Sequence, residues 1–304
     1  NSPPVIGRTR EEELLHDNFL QTRQNNAGTI SRPLKVESIA SLSTGEKLSY
    51  VSRELADALS DSSFVDCVRQ GDLKAGKEIC LLLWPFVKEL PDNISAVRSQ
   101  LEQLPHHGCR KNLEAGLKLL SQLADDERHY QNLYLNQCRL AGLSEEDLKQ
   151  VVEAAESNLK RKQEPAFAPT AETSFVQLTR RMRYYCRQGS PAQAVLAVIT
   201  AELAATQFAR AALSAFESYF MEREEQYGRE SIEAGLRWLR LHAKPNTRHA
   251  IWMKRLLLFT DTEAEGSEDT FNETTKNTDL AVTEILECLI AVWRTPRFRQ
   301  ERQN

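Results

Sequence analysis

Two of the six histidines, His242 and His249, stand seven positions apart in "LRLHAKPNTRHAIW", with Asn246 between them. On one continuous helix seven residues make nearly two turns, so the spacing predicts all three side chains on one face. Imidazole nitrogens and an amide oxygen on one stripe are donors that a metal ion could use. A second group lies in "LADDERHYQNLY", where Asp126 and His129 are three residues apart. Carboxylate-bridged di-metal sites of helical proteins use that spacing on their ligand helices. Their neighbours Asp125 and Glu127 read as solvated. Glu114, fifteen residues before His129 on roughly the same face, is a reserve ligand.

The third group is a single residue. Between Gln188 and Phe216 the only charged side chains are Glu202 and Arg210. The segment "VLAVITAELAATQF" would be apolar nearly all round as a helix, which marks a buried one. A buried carboxylate needs a compensating charge, a hydrogen bond or a proton. A metal ion would meet that need; so would an ion pair with Arg210 or a bond to a hydroxyl. Asp126, His129, Glu202, His242 and His249 fall on three separate long helices, on stripes expected to face inward. With Asn246 they make an inventory suited to two non-haem irons or manganeses.

Other chemistries find less support. His106 and His107 follow Pro105 at a helix start, and His16 lies on a solvated face. The chain has no GxSxG and no phosphate-cradling glycine loop. Its aromatic residues do not interleave with basic patches as nucleic-acid binding would require, and a net charge of −4 gives no pull toward nucleic acid or anionic membranes.

The elements that must position these residues are helices. Gly and Pro are few, 12 and 11, and cluster between long stretches rich in Ala, Leu, Glu, Gln, Lys and Arg. No run of β-branched residues alternates as a strand would. The chain reads as an all-α protein of about eight helices. A polar extension covers residues 1–45, with a short helix near 9–23, and one helical domain spans 46–295. An acidic loop lies at 260–278 and a basic tail at 296–304. Pro85 and Pro91 are expected to kink or break a helix. Ser144 and Asp147 read as a capping pair, and helices are expected over 105–141, 173–188, 191–222 and 229–258. The apolar stretch "AVLAVITAELAA" is short for a bilayer span and holds a carboxylate, so no membrane insertion is expected. Cysteines 67, 80, 109, 138, 186 and 288 show no CxxC pair and read as reduced thiols of a cytoplasmic protein. The sequons at Asn93 and Asn272 read as chance matches.

The blocks "DDERHYQNLYLNQCRLAGLSEEDL", "LTRRMRYYCRQGSPAQAVLAVITAELAATQFA" and "LRWLRLHAKPNTRHA" resemble, in that order, the haem-oxygenase-like superfamily. Its members include TenA thiaminases, the PQQ-synthesis oxidase and haem-oxygenase-like di-iron oxidases. The similarity spans roughly residues 45–295, and the di-iron branch matches best. That branch carries a carboxylate and a histidine on one helix, a glutamate on a later one, then H-x3-D-x2-H. By resemblance these become Asp126 with His129, Glu202, and His242, Asn246 and His249. The resemblance implies two non-haem irons per chain and a small-molecule substrate oxidised or cleaved with O2, amino acids and fatty acids being typical. It also implies a homodimer. In that reading Glu202 bridges or caps between the irons. Asn246 departs from the family's aspartate, and Pro245 disfavours helical geometry at Lys244. Both fit an alternative: the same fold with a degenerate metal site, binding a ligand or partner. The thiaminase branch would need a cysteine early in the helix beginning "TAETSFVQLTRR", and none is there.

Overall fold

The computed structural model describes residues 44–60, 63–103, 110–160, 171–244 and 281–290, and these are helical apart from short turns, with no strand among them. In chain order the helices are α1 (Thr44–Ser60), α2 (Ser63–Arg69), α3 (Leu73–Glu102), α4 (Arg110–Leu140) and α5 (Glu145–Lys160). They continue with α6 (Ala171–Gln188), α7 (Pro191–Met221), the single turn α8 (Glu224–Tyr227), α9 (Arg229–His242) and a last helix, α10, over 281–290. The chain is therefore all-α.

Local chemistry starts two of these helices where the sequence predicts. Ser190 caps α7 by accepting from the Gln193 amide, Gln193 reaches back to the Ser190 amide, and Pro191 stands in the first turn. At α5 the Ser144 hydroxyl accepts from the Asp147 amide at 3.1 Å, and Asp147 Oδ2 accepts from the Ser144 amide at 2.8 Å. That reciprocal pair holds the Asp147 carboxyl below its ordinary range.

Helix α3 departs from expectation: it runs unbroken through Pro85 and Pro91. A proline inside a helix strips the donor from the carbonyl four residues earlier. At Pro91 that carbonyl is Val87, and the neighbouring helix supplies a replacement. Gln131 Nε2 donates to the Val87 carbonyl at 3.4 Å and to that of Lys88 at 2.6 Å. Nearby, the Cys80 carbonyl accepts the buried Tyr134 hydroxyl at 3.0 Å. A side chain of α4 thus carries α3 across Pro91.

Side-chain contacts fix the register of the core helices. Tyr134 meets Trp238 ring to ring at 5.1 Å and Tyr130 meets His242 at 5.3 Å, so α4 and α9 run antiparallel. Gly235 of α9 lies against Leu140 so closely that an added Cβ would come within 2.5 Å of Leu140 Cδ2. Arg240 Nε donates to Glu217 at 2.8 Å and Arg210 Nε to the Ala243 carbonyl at 3.4 Å, so α9 is also antiparallel to α7. An aromatic chain crosses this core, from Trp84 to Tyr134, Trp238, Phe208 and Phe64. Helix α7, 31 residues long, carries the deepest positions. It is apolar enough by composition to cross a membrane, yet 78% of its most apolar window is buried inside the fold.

Of the expected helix 229–258, residues 245–258 lie outside the described residues. Helix α9 ends at His242 with Ala243 as its cap, two residues before Pro245, in keeping with the restriction a proline places on the residue before it. The N-terminal extension, the acidic loop 260–278 and the basic tail lie outside the described residues.

Candidate functional site: buried carboxylates in the bundle core

The structure places the predicted site residues unevenly. Glu202 is buried on α7, 2% exposed, and its Oε1 is sealed from solvent. His242 is buried at the end of α9, 5% exposed. Its Nδ1 lies 3.0 Å from the Trp238 carbonyl. A carbonyl only accepts, so Nδ1 carries the proton and a neutral ring presents its lone pair at Nε2. Asn246, His249 and Pro245 lie outside the described residues, so the shared face of His242 and His249 does too.

On α4 the reading of Glu127 as solvated needs correction. His129 is exposed and Asp126 only half-buried, whereas Glu127 is 3% exposed with its Oε1 sealed. The inward carboxylate of "DDER" is therefore Glu127, which reads as solvated in a run of four polar residues. Glu127, Tyr134 and Tyr130 belong to the stripe on which α4 packs against α3 and α9. The signal was in the apolar phase: Leu120, Leu123, Ala124 and Leu133 are buried, and Glu127 lies at i+4 from Leu123. Asp125 is exposed and pairs with Arg128, as its reading implied. Glu114, the reserve ligand, is exposed as well.

Gln131 bonds the carbonyls of Val87 and Lys88, and Glu127 is one turn earlier on the antiparallel α4. Gly76 lies against Phe216 of α7. His242 meets Tyr130, one turn from Glu127. Below them the Trp238 ring stacks on His242 at 4.1 Å, and its Nε1 is sealed with no hydrogen-bond partner among the described residues. Glu127, Glu202 and His242 are thus three buried polar residues on three separate helices, and the His242 ring packs against Trp238 and Tyr130.

In kind, this donor set suits iron, since carboxylate oxygen and imidazole nitrogen are its usual non-haem ligands. In number, it is incomplete among the described residues, where no three His, Cys, Asp or Glu side chains gather closely enough to hold a metal ion. Among the described residues Cys67, Cys80, Cys138, Cys186 and Cys288 form no disulfide. Burial pushes Cys80 and Cys186 each up to about 12, so both stay protonated. Cys186, about four turns into α6, is not an activated nucleophile.

Comparison with known proteins agrees with the fold and goes no further. No family model matches the chain, and no curated protein does. Among solved structures, it is similar to the crystal structure of a TenA homolog from Pseudomonas syringae pv. tomato str. DC3000. The TM-score is 0.56 and the identity 14%, over 86% of this chain and 98% of that one. The fold is thus TenA-like, of the haem-oxygenase-like type.

Proposed function

We propose that the chain is a non-haem iron oxidase or oxygenase that uses O2 on a small metabolite, amino-acid-like or fatty-acid-like. The observation that supports this reading is that Glu127 on α4, Glu202 on α7 and His242 on α9, residues of metal-donor type, are all buried in the bundle. Carboxylate oxygens and an imidazole nitrogen are donor types that non-haem iron uses. Glu127, Glu202 and His242 would hold the metal together with His249 and Asn246 from the chain beyond α9, for two irons when the set is complete. Iron, when bound, supplies the one-electron chemistry that reduces O2 and abstracts hydrogen from substrate. Glu202, buried on α7, would bridge or cap between the irons. The Trp238 carbonyl fixes the His242 tautomer through Nδ1 and so orients Nε2 as a donor. The rings of Tyr134, Trp238 and Phe208 close one end of the site and keep water from it.

A second reading is favoured by specific observations. Helix α4 presents a carboxylate inward but turns its histidine, His129, to solvent, and position 246 offers a neutral amide. In that reading the carboxylates hold a cationic or amine-bearing small molecule without redox chemistry, helped by the aromatic floor. Anaerobic Fe(II) titration of metal-free protein, followed by O2 exposure and optical spectroscopy, separates the two. The oxidase reading predicts uptake of close to two irons per chain and a transient visible band. Uptake no greater than that of an unrelated protein would leave the second reading standing.

A further inference from the structure

A cleft of about 330 Å³ opens on the outer surface where α3, α4 and α5 meet, away from the carboxylates of the core. Trp84, Leu135, Leu148 and Val152 form its apolar floor, and Trp84 is itself stacked on Tyr134 at 6.3 Å. The rim carries Lys88, Arg139 and Lys149 against Glu145 and Glu153. Two of the three cations are committed: Arg139 to Glu145 at 3.1 Å and Lys149 to Glu153 at 3.9 Å. Lys88 is exposed, and among the described residues no carboxylate lies within ion-pair distance of it. Its backbone carbonyl accepts from Gln131 Nε2 at 2.6 Å, which fixes the root of the side chain beside the cleft.

We propose that this cleft binds a small amphipathic monoanion, a medium-chain or aryl carboxylate, with its apolar body on Trp84 and Leu135 and its carboxylate at Lys88. Size argues for a small molecule over a partner helix. The volume lies at the lower end of the range for ligand pockets. The α5 residues that line it, from Glu145 to Glu153, span only about 12 Å of helix. Charge argues for an anion, since the pairing on the rim leaves one positive charge over. The floor is apolar, so a bare anion such as acetate would gain little there. The proposal is independent of the iron reading, because no residue of the cleft belongs to the core site.

The test is calorimetric titration of the full chain with octanoate, octan-1-ol and octylamine. Octanoate should bind best, about fivefold tighter than octanol, the size of an exposed charge pair. Octylamine should be weaker than both. In Lys88→Glu the order of octanoate and octylamine should reverse, and Leu135→Arg should remove binding of all three. Lys88 is exposed, so its variant should melt as the wild type does. Absence of octanoate binding at millimolar concentration would overturn the proposal. So would equal binding of octanoate and octylamine, or octanoate binding that survives both substitutions and therefore lies elsewhere.

Discussion

Replacing Gly235 by alanine separates packing from helix propensity, because the two act in opposite directions. In an isolated helix, glycine to alanine stabilises by about 1 kcal/mol. In α9 the new Cβ would sit 2.5 Å from Leu140 Cδ2, 2.7 Å from its Cβ and 3.1 Å from its Cγ. The first and third atoms could swing aside with a rotamer change, but a Cβ moves only with its backbone. Helices α4 and α9 must therefore separate, and overpacking of this kind costs about 1–3 kcal/mol. The net expectation for Gly235→Ala is a loss of roughly 0–2 kcal/mol, read from urea unfolding at constant m-value. Leu140→Gly removes all three obstructing atoms, so Gly235→Ala introduced into that background should be neutral or stabilising. The coupling between the two substitutions should be favourable by at least about 1 kcal/mol. A single Gly235→Ala variant more stable than the wild type, or strictly additive effects in the double variant, would refute the close approach of α4 and α9. The register that levels Glu127 with His242 would then fall as well.

Other outcomes follow from single environments. Cys80 and Cys186, held near 12 by burial against an ordinary value of 9.0, should resist alkylation at pH 8 until the protein unfolds. Their native state keeps protons that the unfolded chain releases. Stability should therefore be flat below about pH 9 and fall above it, each thiol steepening the loss by up to about 1.4 kcal/mol per pH unit. Arg183 on α6 bonds both Glu89 of α3 and Glu156 of α5. Arg183→Met should cost about 1 kcal/mol in dilute buffer and less in 1 M salt, measured by urea unfolding. Asn93 is 1% exposed with its Oδ1 unpartnered among the described residues. Asn93→Leu should accordingly be neutral or stabilising by up to about 1 kcal/mol in a thermal melt, since a buried acceptor without a donor is costly.

The helical class, the caps at Ser144 and Ser190, and the burial of Glu202 were legible because each rests on local pattern. Three charge-poor turns around Glu202 and a proline after a serine need no tertiary knowledge to interpret. The continuity of α3 was not legible. What rescues Val87 is the amide of Gln131, 44 residues away, and nothing near Pro91 announces it. The α4 carboxylate failed for another reason. In "DDER" three acids fall within one turn, and the spacing to His129 favoured Asp126. The phase of the distant leucines, one and two turns earlier, selected Glu127 instead. A motif spacing shows what a face could do; the apolar phase of the helix decides which face turns inward.

That choice gives the most direct test of the central claim. Iron(II) uptake should be measured anaerobically, side by side, for the wild type, Glu127→Gln, Glu202→Gln and His129→Ala. Both glutamine variants keep volume and hydrogen-bonding capacity while removing one buried charge. They should lose most of the iron, by at least about tenfold in affinity. His129→Ala, altered at an exposed position, should load as the wild type does. Undiminished uptake in Glu127→Gln and Glu202→Gln, or loss confined to His129→Ala, would contradict the account.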